Sequence, residues 1–191
     1  IRMSLSNYTD EIGDKYFMSI CEDITSIHRD EIVKSCIYKI SEAIHDVNDL
    51  QSLYKEIHYI IAEVTKTNNF YIALVDWKTK IITFPYFVDE KDDPPLPRKL
   101  QNGLTDYVLK NEESLLVNND LLEKFTKQNN INLSGSKCNN WLGVPLKLTN
   151  GKTIGMIGIQ SYDKNVYFNE EDKRILHFIS DQIAMAIKRK I

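Results

Sequence analysis

The chain has 191 residues, of which 42% are hydrophobic and 27% are charged. This balance supplies enough apolar material for a packed core of one or two domains and excludes a disordered chain. The net charge of −3 does not favour nucleic acid or an anionic membrane. No apolar run approaches the ~20 residues that span a bilayer. The three cysteines, Cys21, Cys36 and Cys138, share no metal-ligand spacing and are typical of reduced thiols, so we predict a cytoplasmic segment.

The first 25 residues are predicted to form a pair of strands. Apolar and polar residues alternate at the start, residues 16–21 are a second β-rich run, and Gly13 marks a turn between them. A two-stranded hairpin is at best marginally stable alone in water. We therefore predict that it pairs with the hairpin of a second protomer, with disorder or packing on its own domain as the alternatives.

Two amphipathic helices are predicted next. The first has an apolar seam, spaced by three and four residues, at Val33, Cys36, Ile40, Ala43 and Val47. The second has a similar series, offset by one residue, at Leu50, Leu53, Ile57, Ile60 and Val64. Asn48 and Asp49 are N-capping residue types, which favours two helices with a break over one rod. The seam predicts a homodimer held through this helix, and the alternative is a helix that covers its own sheet.

The middle of the chain mixes strands and short helices. Strands are predicted at residues 70–76, 81–88 and 115–117. Short helices are predicted at residues 103–110 and 121–128. Residues 89–101 contain three prolines, so they are predicted to form an irregular, mobile loop. Residues 139–148 and 152–162 form the clearest hairpin, and Asn150-Gly151 between them predicts a type I′ turn.

A last helix is predicted from Asn169, which is a capping residue type. The three acidic residues that follow lie in the first turn, where the helix dipole favours anions. The apolar stripe of this helix consists of Ile175, Ile179, Ile183 and Ala186. The order of elements predicts an α+β fold with an antiparallel sheet.

Five segments, taken in order, resemble a GAF domain over about residues 35–190. They are FYIALVD at 70–76, GLTDYVL at 103–109, WLGVPL at 141–146, IGMIGIQ at 154–160 and FNEED at 168–172. The resemblance implies a GAF-like antiparallel sheet with helices on one face and a small-molecule pocket on the other. A long N-terminal linker helix and the short β-hairpin would precede it.

The start of the chain resembles the end of a PAS domain. Residues 13–25 (GDKYFMSICEDIT) are similar to the last PAS strand with its Asp-Ile-Thr motif. The two resemblances imply a PAS remnant at residues 1–25, a signalling helix at 26–48 and a GAF domain at 49–191. This order resembles bacterial sensor histidine kinases, with diguanylate cyclases as the alternative parent. Both imply covalently linked PAS and output domains, the latter beyond Ile191.

The candidate ligand-binding residues lie on strands that the GAF family uses to wall its pocket. They are Phe70, Asp76, Phe84, Tyr86, Trp141, Gln160 and Tyr162. Such a wall would suit a small planar or amphipathic molecule. Because alternate residues of a strand face opposite sides, some of these residues are plain core instead, and the sequence leaves open which.

The predicted function is a non-enzymatic sensory and dimerisation module, because no phosphate loop, nucleophile elbow or zinc motif is present. All four histidines lie in predicted helices away from the expected pocket, which disfavours haem, and no cofactor, metal or nucleic acid is predicted. One alternative is a GAF-fold methionine sulfoxide reductase that uses Cys138, although no resolving cysteine is apparent. The other is a spacer without a ligand.

Overall fold

The structure, a computed structural model, describes residues 1–47 and 49–190, without the side chains of Thr25, Ser26, His28, Arg29, His45, Asn119 and Asp120. The helices are α1 (Thr25–Asp46), α2 (Leu50–Thr65), α3 (Leu104–Asn111), α4 (Asn119–Asn129) and α5 (Glu170–Lys190). The strands are β1 (Arg2–Thr9), β2 (Lys15–Glu22), β3 (Asn69–Asp76), β4 (Ile81–Val88), β5 (Arg98–Lys99), β6 (Leu115–Asn118), β7 (Asn140–Lys147) and β8 (Thr153–Ser161). No helix in the described ranges combines the length and apolarity needed to cross a membrane.

The α+β fold with an antiparallel sheet is confirmed. Six of the described strands form one sheet in the order β5-β4-β3-β8-β7-β6, and each neighbouring pair is antiparallel. The elements predicted beyond residue 30 are present with ends shifted by one to a few residues, and the short strand β5 was not predicted. Helices α1, α2 and α5 cover one face of this sheet, called the helix face, and α3 and α4 lie against the other, called the cavity face.

Alternate residues of the central strands build two separate cores. Ile157 and Ile159 of β8 join the core on the helix face, whereas Met156 joins the core on the cavity face. The same alternation on β7 separates Leu142 from Trp141. Because both faces are covered, these strands are buried along nearly their whole length.

The apolar seam of α1 packs inside its own chain. Cys36, Ile40 and Ala43 are 3%, 1% and 7% exposed, and Val33 and Val47 pack against the same core. At the end of the helix, the Lys190 ammonium donates to the Val47 carbonyl at 2.6 Å. The prediction that this seam is the dimer interface is therefore wrong, because α5 and α2 already cover it. A homodimer stays a prediction that requires another surface.

Side chains predicted as caps begin two of the helices. Asp49 precedes α2 and accepts a hydrogen bond from the Ser52 amide at 2.9 Å, while Asn48 lies outside the described residues. Asn169 precedes α5 and accepts from the Asp172 amide at 3.1 Å, and the Asp172 carboxylate accepts from the Asn169 amide at 2.8 Å. This reciprocal pair satisfies two amides that the first turn leaves free.

The turn between β7 and β8 differs from the predicted type I′ turn. Gly151 has a positive φ of 79°, but Asn150 does not, and a type I′ turn needs both. The Gly151 amide donates to the Leu148 carbonyl at 2.8 Å, and the Leu148 amide donates to the Lys152 carbonyl at 2.9 Å. The connection is a three-residue loop that ends in a left-handed glycine, the second common solution for hairpins.

Strands β1 and β2 form the predicted N-terminal hairpin, with eight paired positions from Arg2 opposite Glu22 to Thr9 opposite Lys15. Its turn contains Gly13 at a φ of 97°. Every residue of both strands is exposed, so the alternative in which the hairpin packs on its own domain is wrong. The large apolar side chains left in solvent include Met3, Leu5, Phe17, Met18 and Ile20.

Deletion of residues 1–21 is expected to weaken self-association while leaving the thermal stability of the isolated chain almost unchanged. The exposed strand edges and apolar side chains favour pairing between protomers, but they add no packing within one chain. Sedimentation velocity over a concentration series measures the first effect, and thermal unfolding at low concentration measures the second. An unchanged dimer affinity after deletion would exclude pairing through the hairpin.

Candidate functional site

A cavity of about 440 Å³ lies on the cavity face of the sheet. The sheet forms its floor, α3 and α4 contribute Leu104 and Leu122, and two loop segments, residues 92–98 and 133–138, form its rim. This volume is in the range of sites that enclose a small organic ligand.

Two aromatic rings lie flat on the floor because glycines stand beside them. Gly143 of β7 and Gly158 of β8 are paired across the strands. A Cβ atom at Gly143 would lie 2.2 Å from the Trp141 ring, and one at Gly158 would lie 2.3 Å from the Tyr71 ring. Any side chain at either position would therefore push a ring into the cavity.

The polar atoms of these rings are satisfied at the bottom of the cavity. The Trp141 indole N–H donates to the Tyr71 hydroxyl at 3.2 Å, and that hydroxyl lies 2.9 Å from Thr105 Oγ1. Burial raises the pKa of Tyr71 to about 12, so its hydroxyl is neutral at physiological pH. The floor is a rigid, uncharged aromatic platform.

An ion pair fastens the rim to α3. Arg98 donates to both carboxylate oxygens of Asp106, at 2.9 and 2.8 Å, and the Gln101 and Gly103 amides donate to the same carboxylate at 2.6 and 3.0 Å. Burial of Asp106 acts to raise its pKa, but these hydrogen bonds and the Arg98 charge outweigh burial and hold the pKa below its usual value. Asp106 is fully buried and ionised at neutral pH.

This ion pair predicts an acid-sensitive contribution to stability. Because the pKa of Asp106 in the folded chain lies below the unfolded value of about 3.9, ionised Asp106 stabilises the fold at neutral pH. That contribution is lost as the pH falls through the folded-state pKa. Urea unfolding should therefore show a stability gap between the wild type and Asp106→Asn that is largest near pH ~7 and narrows below pH ~4. A gap that does not change with pH would contradict this assignment.

A second polar cluster lies at the end of the cavity that Asp92 and Asp93 line, called the acidic end. Asp92 accepts from the Ser136 amide at 2.9 Å and from Ser136 Oγ at 2.8 Å. The Tyr162 hydroxyl lies 3.0 Å from an Asp89 oxygen and 3.2 Å from an Asp92 oxygen, and the Gln160 amide group donates to Asp89. These contacts tie the proline-rich loop to β8 and to the opposite rim. Composition alone does not predict such anchoring, and the mobility of the loop stays a prediction.

Three of the seven predicted ligand-binding residues line the cavity, namely Phe84, Trp141 and Gln160. Tyr162 stands next to them, and its hydroxyl accepts a hydrogen bond from the Gln160 amide group at 2.9 Å. Their proposed role in binding a ligand stays a prediction, but their placement around one cavity agrees with it.

Phe70 and Tyr86 lie on the helix face instead. The Phe70 ring stacks on His58 of α2 with centroids 5.0 Å apart, and the Tyr86 hydroxyl lies 3.0 Å from His58 Nδ1. Tyr86 lies on the helix face because the register of β4 shifts: β4 carries one extra residue around Pro85 relative to β3. Phe84 and Tyr86 would share a face on a regular strand. The shift sends Tyr86 to the helix face and brings Phe87 into the cavity wall.

Asp76 is also not part of the cavity. It lies exposed at the end of β3, where its carboxylate accepts from the Lys78 amide at 2.8 Å and shapes the turn to β4.

Several residues that shape the cavity were not predicted, among them Tyr71, Phe87, Asp92, Arg98 and Thr105. The position of Tyr71 in the cavity could have been predicted from strand alternation, once its neighbour Phe70 is assigned to the helix face. The position of Phe87 could have been predicted because a proline inside a strand marks a bulge. No local pattern identifies the other three, because their contacts join segments far apart in sequence.

Cys138 lines the cavity but lacks the features of a reactive thiol. It is buried, and burial together with the nearby Asp89 and Asp92 charges raises its pKa to about 11. Cys36 belongs to the core on the helix face, and Cys21 lies exposed on the hairpin. A thiol in this setting is a poor nucleophile at neutral pH.

The two histidines whose side chains are described lie away from the cavity. His58 packs on the helix face, and His177 of α5 lies 3.4 Å from Ser114 Oγ outside the cavity. The side chains of His28 and His45 lie outside the described ones. Within the described part of the chain, no group of three or more His, Cys, Asp or Glu side chains is arranged to hold a metal ion.

Comparison with solved structures identifies GAF domains as having the same fold. A GAF domain of an Acinetobacter phosphoenolpyruvate-protein phosphotransferase aligns with a TM-score of 0.65 and 19% identity, covering 83% of this chain and 94% of its own. A Neisseria meningitidis free methionine-R-sulfoxide reductase aligns with a TM-score of 0.63 and 14% identity, covering 90% and 94%. A segment of a methyl-accepting chemotaxis protein aligns with a TM-score of 0.64 and 13% identity, covering 81% and 96%.

These identities establish a shared fold and nothing finer. No curated protein sequence matches the chain. The sequence profile of the GAF domain, however, matches residues 47–188, which is most of the chain and includes every strand of the large sheet. Together with the sheet order and the cavity, this match shows that the chain belongs to the GAF domain family.

Proposed function

We propose that this GAF domain is a non-enzymatic sensory module that binds a small molecule in the cavity. The observation that carries the proposal is the cavity itself: about 440 Å³, with a flat aromatic floor and a rim of a few polar groups. Binding sites for small ligands typically combine such an apolar surface with a small number of placed polar atoms. Of the predicted residues, Phe84, Trp141 and Gln160 would contact the ligand, with Tyr162 supporting Gln160.

The helices are proposed to carry the signal. The strands that floor the cavity support α5 on their opposite face, and α5 packs against α1. Neighbouring residues such as Trp141 and Leu142 belong to the two sides of the sheet. A ligand that binds one arrangement of the sheet better than another biases the packing of these helices by its difference in affinity. In this proposal the parent protein is a bacterial sensor histidine kinase, or alternatively a diguanylate cyclase, which acts as a homodimer in the cytoplasm.

The ligand-binding part is tested by blocking the cavity. Differential scanning fluorimetry with a collection of planar and amphipathic small molecules should yield compounds that raise the Tm of the wild-type chain. Leu104, half-buried in the cavity wall, can be replaced by tryptophan to fill the space. The same compounds should then have no effect on Leu104→Trp, with circular dichroism confirming that the variant is folded. Compounds that raise both Tm values equally, or no active compound at all, would favour the spacer without a ligand.

The second candidate function is a methionine sulfoxide reductase. The observation that favours it is the position of Cys138 in the cavity wall, within a fold that a solved reductase shares. Its buried setting and raised pKa argue against it, as does the placement of Cys21 and Cys36 in other parts of the fold. The non-enzymatic proposal is therefore preferred.

Thiol labelling separates the two functions. With a pKa of about 11, only about one Cys138 thiol in a thousand is ionised at pH ~8, so Cys138 should react slowly with a disulfide reagent until the chain unfolds. Exposed Cys21 should account for the fast phase, and Cys21→Ser should remove it. Fast labelling of Cys138 in the Cys21→Ser variant would instead support the reductase.

A further inference from the structure

The charges around the cavity are not balanced. Asp92 and Asp93 line one end of it, and Asp89 lies directly behind, where its carboxylate and that of Asp92 face the same Tyr162 hydroxyl. A hydroxyl has one proton to donate, so it cannot satisfy both carboxylates at once. Asp89 also accepts from the Lys91 and Asp92 amides, at 2.9 Å each, so the shared Tyr162 proton leaves acceptor capacity on Asp92 rather than on Asp89.

Of the two described cations that line the cavity, Arg98 and Lys137, the first is already committed elsewhere. Arg98 forms its two-point ion pair with Asp106, which is fully buried and ionised. That pair is neutral as a unit, so it does not offset the carboxylates at the acidic end. Lys137 is 66% exposed at the rim, 3.9 Å from Glu123, and solvent screens its charge.

One further ammonium lies close to this end. Lys91 Nζ stands 4.3 Å from the centre of the Tyr162 ring and acts to lower the pKa of Asp92. A single lysine against three carboxylates leaves the acidic end with an excess of negative charge.

Asp92 is held as an anion by neutral donors. Burial acts to raise its pKa, but the hydrogen bonds from the Ser136 amide and hydroxyl and from Tyr162 outweigh burial and lower it. A carboxylate offers about four acceptor positions, and these groups supply at most three protons, because Asp92 shares that of Tyr162 with Asp89. The remaining capacity, on a half-buried anion at the cavity wall, favours a donor that brings a positive charge.

The rest of the cavity suits the same kind of ligand. The rings of Tyr71, Phe84, Phe87 and Trp141 form its apolar surface. The faces of aromatic rings attract cations, and the Arg98 guanidinium already lies 5.9 Å from the centre of the Phe84 ring. An anionic ligand would meet three carboxylates at the acidic end, against the single ammonium described nearby, that of Lys91.

We infer that the ligand is a small amphipathic or aromatic molecule that carries one cationic amine. Its ammonium group lies at Asp92 and its flat part lies on the Trp141 and Tyr71 rings. This inference rests on the proposed function and specifies the chemical class of the ligand for the same cavity.

Three probes that share one ring and differ in charge test the inference. Tryptamine is a cation at neutral pH, tryptophol is neutral and indole-3-acetate is an anion. Isothermal titration at low and high salt should show tryptamine binding about tenfold more tightly than tryptophol, with indole-3-acetate weakest. Added salt should weaken the binding of tryptamine and leave the binding of tryptophol nearly unchanged.

Variants assign the preference to the acidic end. Asp92→Asn keeps an oxygen acceptor for Ser136 but removes the charge, so the advantage of tryptamine over tryptophol should fall to about twofold or less. Asp93→Asn, at an exposed position, provides a second charge removal that does not depend on buried hydrogen bonds. Asp181→Asn, which removes the same charge from the exposed surface of α5, should keep the tenfold ratio.

The outcomes distinguish this inference from the proposed function. Tryptophol or indole-3-acetate binding as tightly as tryptamine, or a tenfold preference that survives both Asp92→Asn and Asp93→Asn, would overturn the cationic class while leaving a ligand-binding cavity. Absence of binding by all three probes would also overturn it. The Leu104→Trp comparison then decides separately whether the cavity binds any ligand.

Discussion

Replacing Asp106 with alanine is expected to lower the free energy of unfolding by about 3 kcal/mol. The change leaves the Arg98 guanidinium, which is only 25% exposed, without its two-point partner. It also leaves the Gln101 and Gly103 amides without their acceptor at the start of α3. The figure is at the lower end of the range for broken buried pairs because water reaches Arg98 in part. Urea denaturation at neutral pH measures the change.

The matched control for Asp106 is an exposed aspartate. Asp181→Ala, on the surface of α5, should change stability by no more than about 0.5 kcal/mol. If Asp106→Ala costs no more than this control, the ion pair does not hold the rim of the cavity in place. The proposed binding of a small molecule should also weaken in Asp106→Ala, because the rim that carries Arg98 borders the cavity.

Replacing Ile183 with alanine is expected to destabilise the chain by about 3 kcal/mol. Ile183 is fully buried in the core that joins α5 to α1, α2 and the sheet, so the shorter side chain leaves a cavity that the packed helices cannot close. The control is Ile12→Ala, the same substitution at a residue that is 89% exposed in the hairpin turn and belongs to no core. It should lower the free energy of unfolding by about 0.5 kcal/mol or less. Equal effects from the two variants would contradict the placement of α5 over the sheet.

Most of the fold was predictable because its signals are local. Each of these signals depends on residues close together in sequence. They are the three-and-four spacing in α1 and α2, the cap at Asn169 and the alternation in β7 and β8. The surface against which the α1 seam packs could not be predicted from local sequence. A stripe such as Val33 to Val47 looks the same whether it covers its own sheet or a second protomer, and only the tertiary arrangement separates the two.

The candidate site was predictable only in part, for two physical reasons. The first is a single extra residue: the bulge at Pro85 exchanges Tyr86 for Phe87 in the cavity wall, and every side-chain assignment beyond it changes face. The second is distance along the chain. Asp92 meets Ser136 and Tyr162 across 44 and 70 residues, so no window of sequence contains the partners together.

The single-layer sheet has a consequence for how such a domain changes over evolutionary time. The side chains that line the cavity and those that face the helices alternate along the same strands, so they are separate sets that share only a backbone. Substitutions in sets without shared contacts add nearly independently in free energy. Substitutions at Phe84, Phe87 or Gln160 can therefore change the surface of the cavity while Leu142, Ile157 and Ile159 continue to hold α5. Among related chains, the cavity lining and the helix packing are then expected to diverge at different rates along the same strands.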